Sequence, residues 1–281
     1  MFGLRSPFIY VECSGCGRLM LKASPADISK YYPGDYYSFS VQNGLKDRVK
    51  SLLLLLGRFG LRNAIQLAIP LPVVNVIHLL ELKPQMRILD VGGGNGQLAK
   101  ELRDSGFPHA YSIDRFASLE TSYSRRATLS EVEGTWDRIM FHHSLEHLPD
   151  QVGALSEARS RLAPDGLCLV RMPIASWAWK HYGEDWVQLD CPRHVCIHTP
   201  RSIEHAADLA GLTIAKTVYD SSAFQFWGSE LYRRNIPLVE GKKRLRDHFS
   251  PAELAAFSRQ AKELNRAGTG DQAAFILRRA I

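Results

Sequence analysis

The chain has 281 residues, 45% hydrophobic and 23% charged, which is enough apolar material for one sizeable core plus an appendage and too much for wholesale disorder. The net charge of +6 is scattered, with no basic block interleaved with aromatics, so a nucleic-acid module is excluded. Five cysteines at 13, 16, 168, 191 and 196 are not a secreted disulfide framework, the opening MFGLRSPFIYVEC has no signal-peptide layout, and the run SLLLLLG at 51–57 is too short to span a bilayer, so a cytoplasmic protein is expected.

Residues 1–44 read as a loop-rich segment holding the Cys13–Cys16 pair and an aromatic cluster at 31–37. Residues 45–72 mix apolar side chains with Lys46, Arg48, Lys50, Arg58 and Arg62, which predicts a basic, partly amphipathic helical segment. It is expected to pack on the main domain, with peripheral membrane contact through 45–69 as the alternative. From 73 to 281 a single domain is predicted. Apolar runs at 87–91, 110–114, 137–142, 167–172 and 213–219 read as strands buried on both faces. Helices are predicted at 97–105, 151–162 and 200–210, the last opened by Thr199-Pro200, and Pro164-Asp165-Gly166 reads as a turn. The alternation breaks at 221–270, an insertion expected to cover the active site, in which Ser250-Pro251-Ala252-Glu253 opens a late helix. A final strand is expected at 273–278. The predicted fold is α/β: a doubly wound, mostly parallel, seven-stranded Rossmann-like sheet with an antiparallel last strand.

The segment ILDVGGGNGQLAKEL at 88–102 is a strand, a carboxylate, a glycine-rich turn and an amphipathic helix. A side chain at Gly92, Gly94 or Gly96 would hold a ligand away from the backbone. A dinucleotide fingerprint G-x-G-x-x-G would need glycine where Gln97 stands. The spacing from Asp90 is instead D-x-G-x-G-x-G, the pattern of S-adenosylmethionine enzymes, and Asp114 ends the second predicted strand, where a carboxylate can accept hydrogen bonds from both ribose hydroxyls.

On these motifs the chain resembles the class I S-adenosylmethionine-dependent methyltransferases over about 85–220 and again at 272–280. WDRIMFHHSLEHLPD at 136–150 and LAPDGLCLVRM at 162–172 resemble the ubiquinone-biosynthesis-like branch. DWVQLDCPRHVCIHT at 185–199 resembles an element of bacterial methyltransferases of glycan and polysaccharide pathways, whose N-terminal cysteine-rich segment is echoed by CSGCG at 13–17. Those relatives carry two CxxC pairs where this chain has one.

The resemblance implies S-adenosyl-L-methionine as cofactor, held by Asp90, Gly92, Gly94, Gly96, Asp114 and His142. It implies methylation of a hydroxyl on a sugar, glycan or other small molecule, by in-line displacement. His194 is the first candidate for the base and His143 the second, with Arg193 and Trp186 expected to bind the acceptor. No metal site is expected. His143-x-x-Glu146-His147 matches a zinc-protease pattern but follows a strand instead of lying in a helix. Cys191, His194, Cys196 and His198 read as a buried extended segment. Two alternatives stay open: a nicotinamide-dependent dehydrogenase, and a cofactor-binding partner without catalysis.

Overall fold

The computed structural model describes residues 6–32 and 72–280. The basic segment 45–69, the run at 51–57 and most of the aromatic cluster at 31–37 lie outside the described residues. Among the described residues no helix is long and apolar enough to cross a membrane.

The sheet has seven strands: β3 (Ile88–Val91), β4 (Ala110–Ile113), β5 (Ser124–Arg125), β6 (Trp136–His142), β7 (Leu162–Pro173), β9 (Leu212–Tyr219) and β10 (Gln272–Arg279). Their spatial order is β5-β4-β3-β6-β7-β10-β9, parallel except for β10, which runs antiparallel to both of its neighbours. Successive side chains of a strand point to opposite faces. Leu89, Ile139 and Phe141 therefore join one apolar layer, and Ile88 and Met140 the other. The first layer is closed by α3 (Gln151–Arg161) through Leu155 and Ala158, and by α5 (Pro200–Leu209) through Ile203, Ala206 and Ala207. The second is closed by α1 (Pro72–Leu79), through Val76, and by α2 (Gln97–Asp104), through Leu102. Coverage on both faces is why the inner strands read as continuous apolar runs, whereas β9, expected to be buried on both faces, lies at the sheet edge with Thr213, Ala215, Lys216 and Thr217 exposed.

Two local signals act as expected. Thr199 accepts from the backbone N–H of Ser202 and opens α5, and Ser250 with Glu253 forms a reciprocal cap on α9 (Pro251–Arg266). One differs. Pro164-Asp165-Gly166 lies inside β7, where the register against β6 jumps from Trp136↔Leu162 to Arg138↔Leu167. The extra residues form a bulge within the strand, so the helix α3 ends directly in β7 with no separate turn.

A second, three-stranded sheet was not legible in the sequence. β1 (Tyr10–Glu12) pairs with β2 (Leu19–Leu21), and β2 pairs with β8 (Cys196–Ile197), all antiparallel. Leu19 and Ile197 pack there with Trp186 and with Ala178 of α4 (Trp177–Tyr182). The region 221–270 is helical: α6 (Phe224–Arg233), α7 (Leu238–Lys243), α8 (Leu245–His248) and α9. Phe226 and Ala261 anchor it on the same cluster as Trp186.

Candidate active site

The loop between β3 and α2 is built from left-handed glycines: Gly92, Gly94 and Gly96 have φ of 77°, 59° and 80°. An added Cβ at Gly92 would lie 2.5 Å from Ser144 Cβ, and one at Gly96 2.7 Å from Ser124 Cβ. The glycines are thus required first by backbone conformation and close approach to neighbouring strands. Gly92 N–H donates to the Ile113 carbonyl at 2.7 Å, and Ser144 Oγ to the Val91 carbonyl at 2.5 Å. The loop is fixed against β4 and against the segment after β6.

Asp90 is buried, its Oδ1 has no hydrogen-bond partner among the described residues, and burial and then Asp114 push its carboxyl up to about 7. Asp114 follows β4. Its Oδ2 accepts from Gly94 N–H at 2.8 Å and its Oδ1 from Phe116 N–H at 2.7 Å. Asn95 Oδ1 accepts from the Ser118 and Leu119 N–H groups, which ties the segment after Asp114 to the glycine loop. These residues stand where a parallel sheet presents ligands, at the carboxyl ends of its strands. The glycine turn, the orphaned Asp90 oxygen and Asp114 fit the amino-acid and ribose ends of S-adenosyl-L-methionine.

His142 ends β6 and His143 follows it, their rings edge to face with centroids 5.2 Å apart. His143 has φ of 57°, a conformation costing a non-glycine residue about 1–3 kcal/mol. Its Nε2 accepts from the Arg171 guanidinium, and Arg171 Nε in turn pairs with Asp220 at 2.6 Å. Gln272 donates to the other Asp220 oxygen at 2.9 Å. Burial and then Arg171 pull the His143 imidazole down to about 3, so it is neutral, and its Nε2 lone pair is already used.

The 3-10 turn Leu145–His147 and the loop at 188–196 are sewn together by backbone. Val195 N–H donates to the Glu146 carbonyl at 2.9 Å, and the Gln151 amide donates to the carbonyls of Leu145 (2.7 Å) and Cys196 (3.2 Å). His194 Nδ1 lies 2.8 Å from the Gln188 carbonyl. A carbonyl only accepts, so Nδ1 carries the proton and Nε2 presents a lone pair. That nitrogen stands 3.7 Å from Asp190 Oδ2 and 4.0 Å from Glu146 Oε1. Burial pulls the His194 imidazole down to about 4 against the pull of Asp190. Burial also works against ionised Asp190, but His194 and Arg193 outweigh it and hold its carboxyl below the usual range.

The two expected acceptor-binding residues are placed differently from the expectation. Trp186 is fully buried, and its indole donates to Asp271 Oδ2 at 3.0 Å. It packs the loop and does not face an acceptor, because its one polar atom is spent inside. Arg193 is buried and paired with both Asp190 oxygens, with the Tyr32 ring centroid 5.6 Å from its guanidinium carbon. The set Cys191, His194, Cys196 and His198 does not converge. Cys191 is exposed, Cys196 lies in β8, and His198 Nδ1 meets Ser202 Oγ at 2.8 Å.

Several groups here were not singled out from the sequence. Tyr10 donates its hydroxyl to the His194 carbonyl at 2.5 Å, and Tyr32 lies edge-on to His147. Tyr232 of α6 has a buried hydroxyl without a hydrogen-bond partner among the described residues, and burial and then Asp190 push its acidity down. Arg171 was findable, since an arginine inside a buried strand calls for a partner. Tyr10 gave no such signal, and Tyr32 and Tyr232 stood out only as members of aromatic stretches.

A family model described as a methyltransferase domain matches residues 71–217, just over half of the chain. No curated protein matches the chain. Among solved structures it is similar to a protein described as a sarcosine dimethylglycine methyltransferase from Galdieria sulphuraria, at 16% identity and a TM-score of 0.46, covering 74% of this chain and 84% of that one. A cyclopropane synthase from Mycobacterium tuberculosis matches at 17% identity and a TM-score of 0.46, covering 73% and 83%. A mitomycin 7-O-methyltransferase matches at 14% identity and a TM-score of 0.42, covering 74% and 54%.

Proposed function

The chain belongs to the methyltransferase-domain family, with S-adenosyl-L-methionine as its cofactor, and on that premise we propose that it methylates a hydroxyl group of a sugar, glycan or other small molecule. The membership ends the nicotinamide reading. When bound, the cofactor supplies a methyl group already activated by the positive sulfonium.

In this reading Asp90, Gly92, Gly94, Gly96, Asp114 and His142 hold the cofactor, and the chain's remaining task is to orient the acceptor and take its proton. An alcohol is a poor nucleophile at neutral pH. The observation that carries the reading is the state of His194: neutral, its Nδ1 proton fixed on the Gln188 carbonyl, its Nε2 lone pair free. Once Nε2 takes the hydroxyl proton, Asp190 at 3.7 Å offsets the imidazolium charge. His143 is the weaker candidate, since protonating its Nε2 would break the bond from Arg171. Arg193 holds Asp190 and Tyr32, and acts on the acceptor through them. The helices at 221–270 serve as a cover, a role supported by Tyr232, which brings a buried, unsatisfied hydroxyl toward Asp190 and Arg193.

The test is incubation of the protein with radiolabelled cofactor and glycan or lipid-linked extracts, followed by mass analysis of the labelled product. Label in a methyl ether is expected. Label in an amine, a carbon position or a protein would replace the hydroxyl reading, and cofactor binding without transfer to any acceptor would favour a non-catalytic partner.

A further inference from the structure

We propose that Glu146, His147 and His194 form a binding site for one divalent transition-metal ion. The ligand-bearing atoms of these three side chains lie within 4.8 Å of one another. They come from two segments, the Leu145–His147 turn after β6 and the loop before β8, which the backbone bonds described above hold together.

The proton positions suit a cation. His147 Nδ1 lies 2.8 Å from the Arg193 carbonyl, as His194 Nδ1 does from that of Gln188. Each carbonyl can only accept, so both imidazoles keep their proton on Nδ1 and present Nε2 as a lone pair. Fixing the far nitrogen on a carbonyl is how proteins set the tautomer and aim of a metal-binding histidine. Glu146 supplies the charge. It is 0% exposed, and neither of its carboxylate oxygens has a hydrogen-bond partner among the described residues. His143 Nδ1 approaches Oε1 only to 3.5 Å. A buried carboxylate left this way is costly unless a cation shares the space. Asp190 stands 3.7 Å from His194 Nε2, and although Arg193 engages it, it adds negative potential on that side.

Two imidazole nitrogens and a carboxylate oxygen are the donors of zinc, iron and cobalt more than of magnesium or calcium, and manganese takes the same mixed set more weakly. Metal bonds of about 2.0–2.1 Å put donors roughly 3–3.5 Å apart, so the cluster must close by about an ångström on loading. Three protein ligands leave positions open for an acceptor oxygen. A hydroxyl bound there loses its proton more readily. His194 then acts as a ligand and no longer as the base, the cation does the activating, and the hydroxyl proton leaves to solvent water. This use rests on the methyl-transfer reading, whereas metal binding itself does not. It also revises the expectation of no metal: the match of His143-x-x-Glu146-His147 to a protease pattern fails as a two-histidine helix, but its last two residues gain His194 as a third donor.

The probe is Mn2+ alone, added to chelator-treated full-length protein and followed by loss of the free-ion electron paramagnetic resonance signal. Thiolates are poor manganese ligands, so Cys13 and Cys16 do not compete. One ion per chain is expected, with pulsed-resonance couplings to two imidazole nitrogens. Glu146→Gln and His194→Asn should each weaken binding at least about tenfold, while Cys13→Ser with Cys16→Ser leaves it unchanged. Retained affinity for S-adenosylhomocysteine verifies that each variant is folded. The site is overturned by absent binding, by wild-type protein loaded with manganese but lacking nitrogen couplings, or by equal affinity in a folded Glu146→Gln. Turnover that falls on chelation supports the role toward the acceptor. Turnover indifferent to chelation overturns that role and returns His194 to its place as base.

Discussion

The glycine loop after β3 and the loop at 188–196 both serve the carboxyl ends of the same strands, yet they are specified in opposite ways. The first is local. One run of about fifteen residues supplies the strand, the left-handed turn and the helix, and its contacts to β4 and Ser144 only trim it. The second is assembled from distant parts: Gln151 of α3, Glu146 of the turn after β6, Tyr10 of β1 and Asp271 before β10, which accepts from Gln188, each contribute a bond that its own residues cannot make. A site for a constant cofactor can be written as a short motif. The loop proposed to meet the acceptor is instead written across the chain.

The largest expected effect lies in the proposed acceptor loop alone. His194→Ala removes the free lone pair without touching the glycine loop. Turnover should fall about 10²–10⁴-fold, equivalent to roughly 3–5 kcal/mol, while calorimetry shows unchanged affinity for S-adenosylhomocysteine. A parallel loss of both would show that the two loops are one unit. Gly92→Ala should do the reverse. It meets a left-handed φ and a 2.5 Å approach to Ser144, and a cost of at least about 1–3 kcal/mol in urea unfolding is expected, together with weaker cofactor binding. An unchanged denaturation midpoint would mean that the loop relaxes freely. Asp114→Ala should lose roughly 1.5–3 kcal/mol of cofactor affinity in the same calorimetry, the scale of a hydrogen bond to a charged group. Undiminished binding would remove Asp114 from the ribose. The smallest effect is expected for Tyr10→Phe, which deletes one bond to the His194 carbonyl. About 1 kcal/mol of stability should go, with turnover reduced before cofactor affinity is.

Legibility in the sequence followed the same division. Six strands of the main sheet could be read, five of them because two buried faces force apolar runs, as in ILDV at β3 and FIL in β10, and the sixth, edge strand β9, from its β-branched residues although it is mostly exposed. β5, with two residues at the sheet edge, and the short β1, β2 and β8 carry no such run. The bulge in β7 was read as a turn because proline, aspartate and glycine favour either. In the site, the glycine spacing pointed to the right turn, although part of its reason is close packing against Ser144 and Ser124. Trp186 was misplaced because a tryptophan in a motif looks the same whether its indole faces a ligand or Asp271. The isolation of Glu146 could not be read at all, since it depends on which carbonyls of the 188–194 loop occupy the two neighbouring histidines.

The small sheet sets a timetable for synthesis. Leu19 pairs with Ile197, so the first hairpin leaves the ribosome long before the strand it docks on. At about 5–20 residues per second, the intervening stretch takes roughly 10–35 s to make. During that interval Leu19 has no β8 to cover it, and the His194 carbonyl to which Tyr10 will donate does not yet exist. The loop at 188–196 is therefore completed late, by a segment made early, and the nascent chain must carry an unpaired strand edge until most of the domain has been translated.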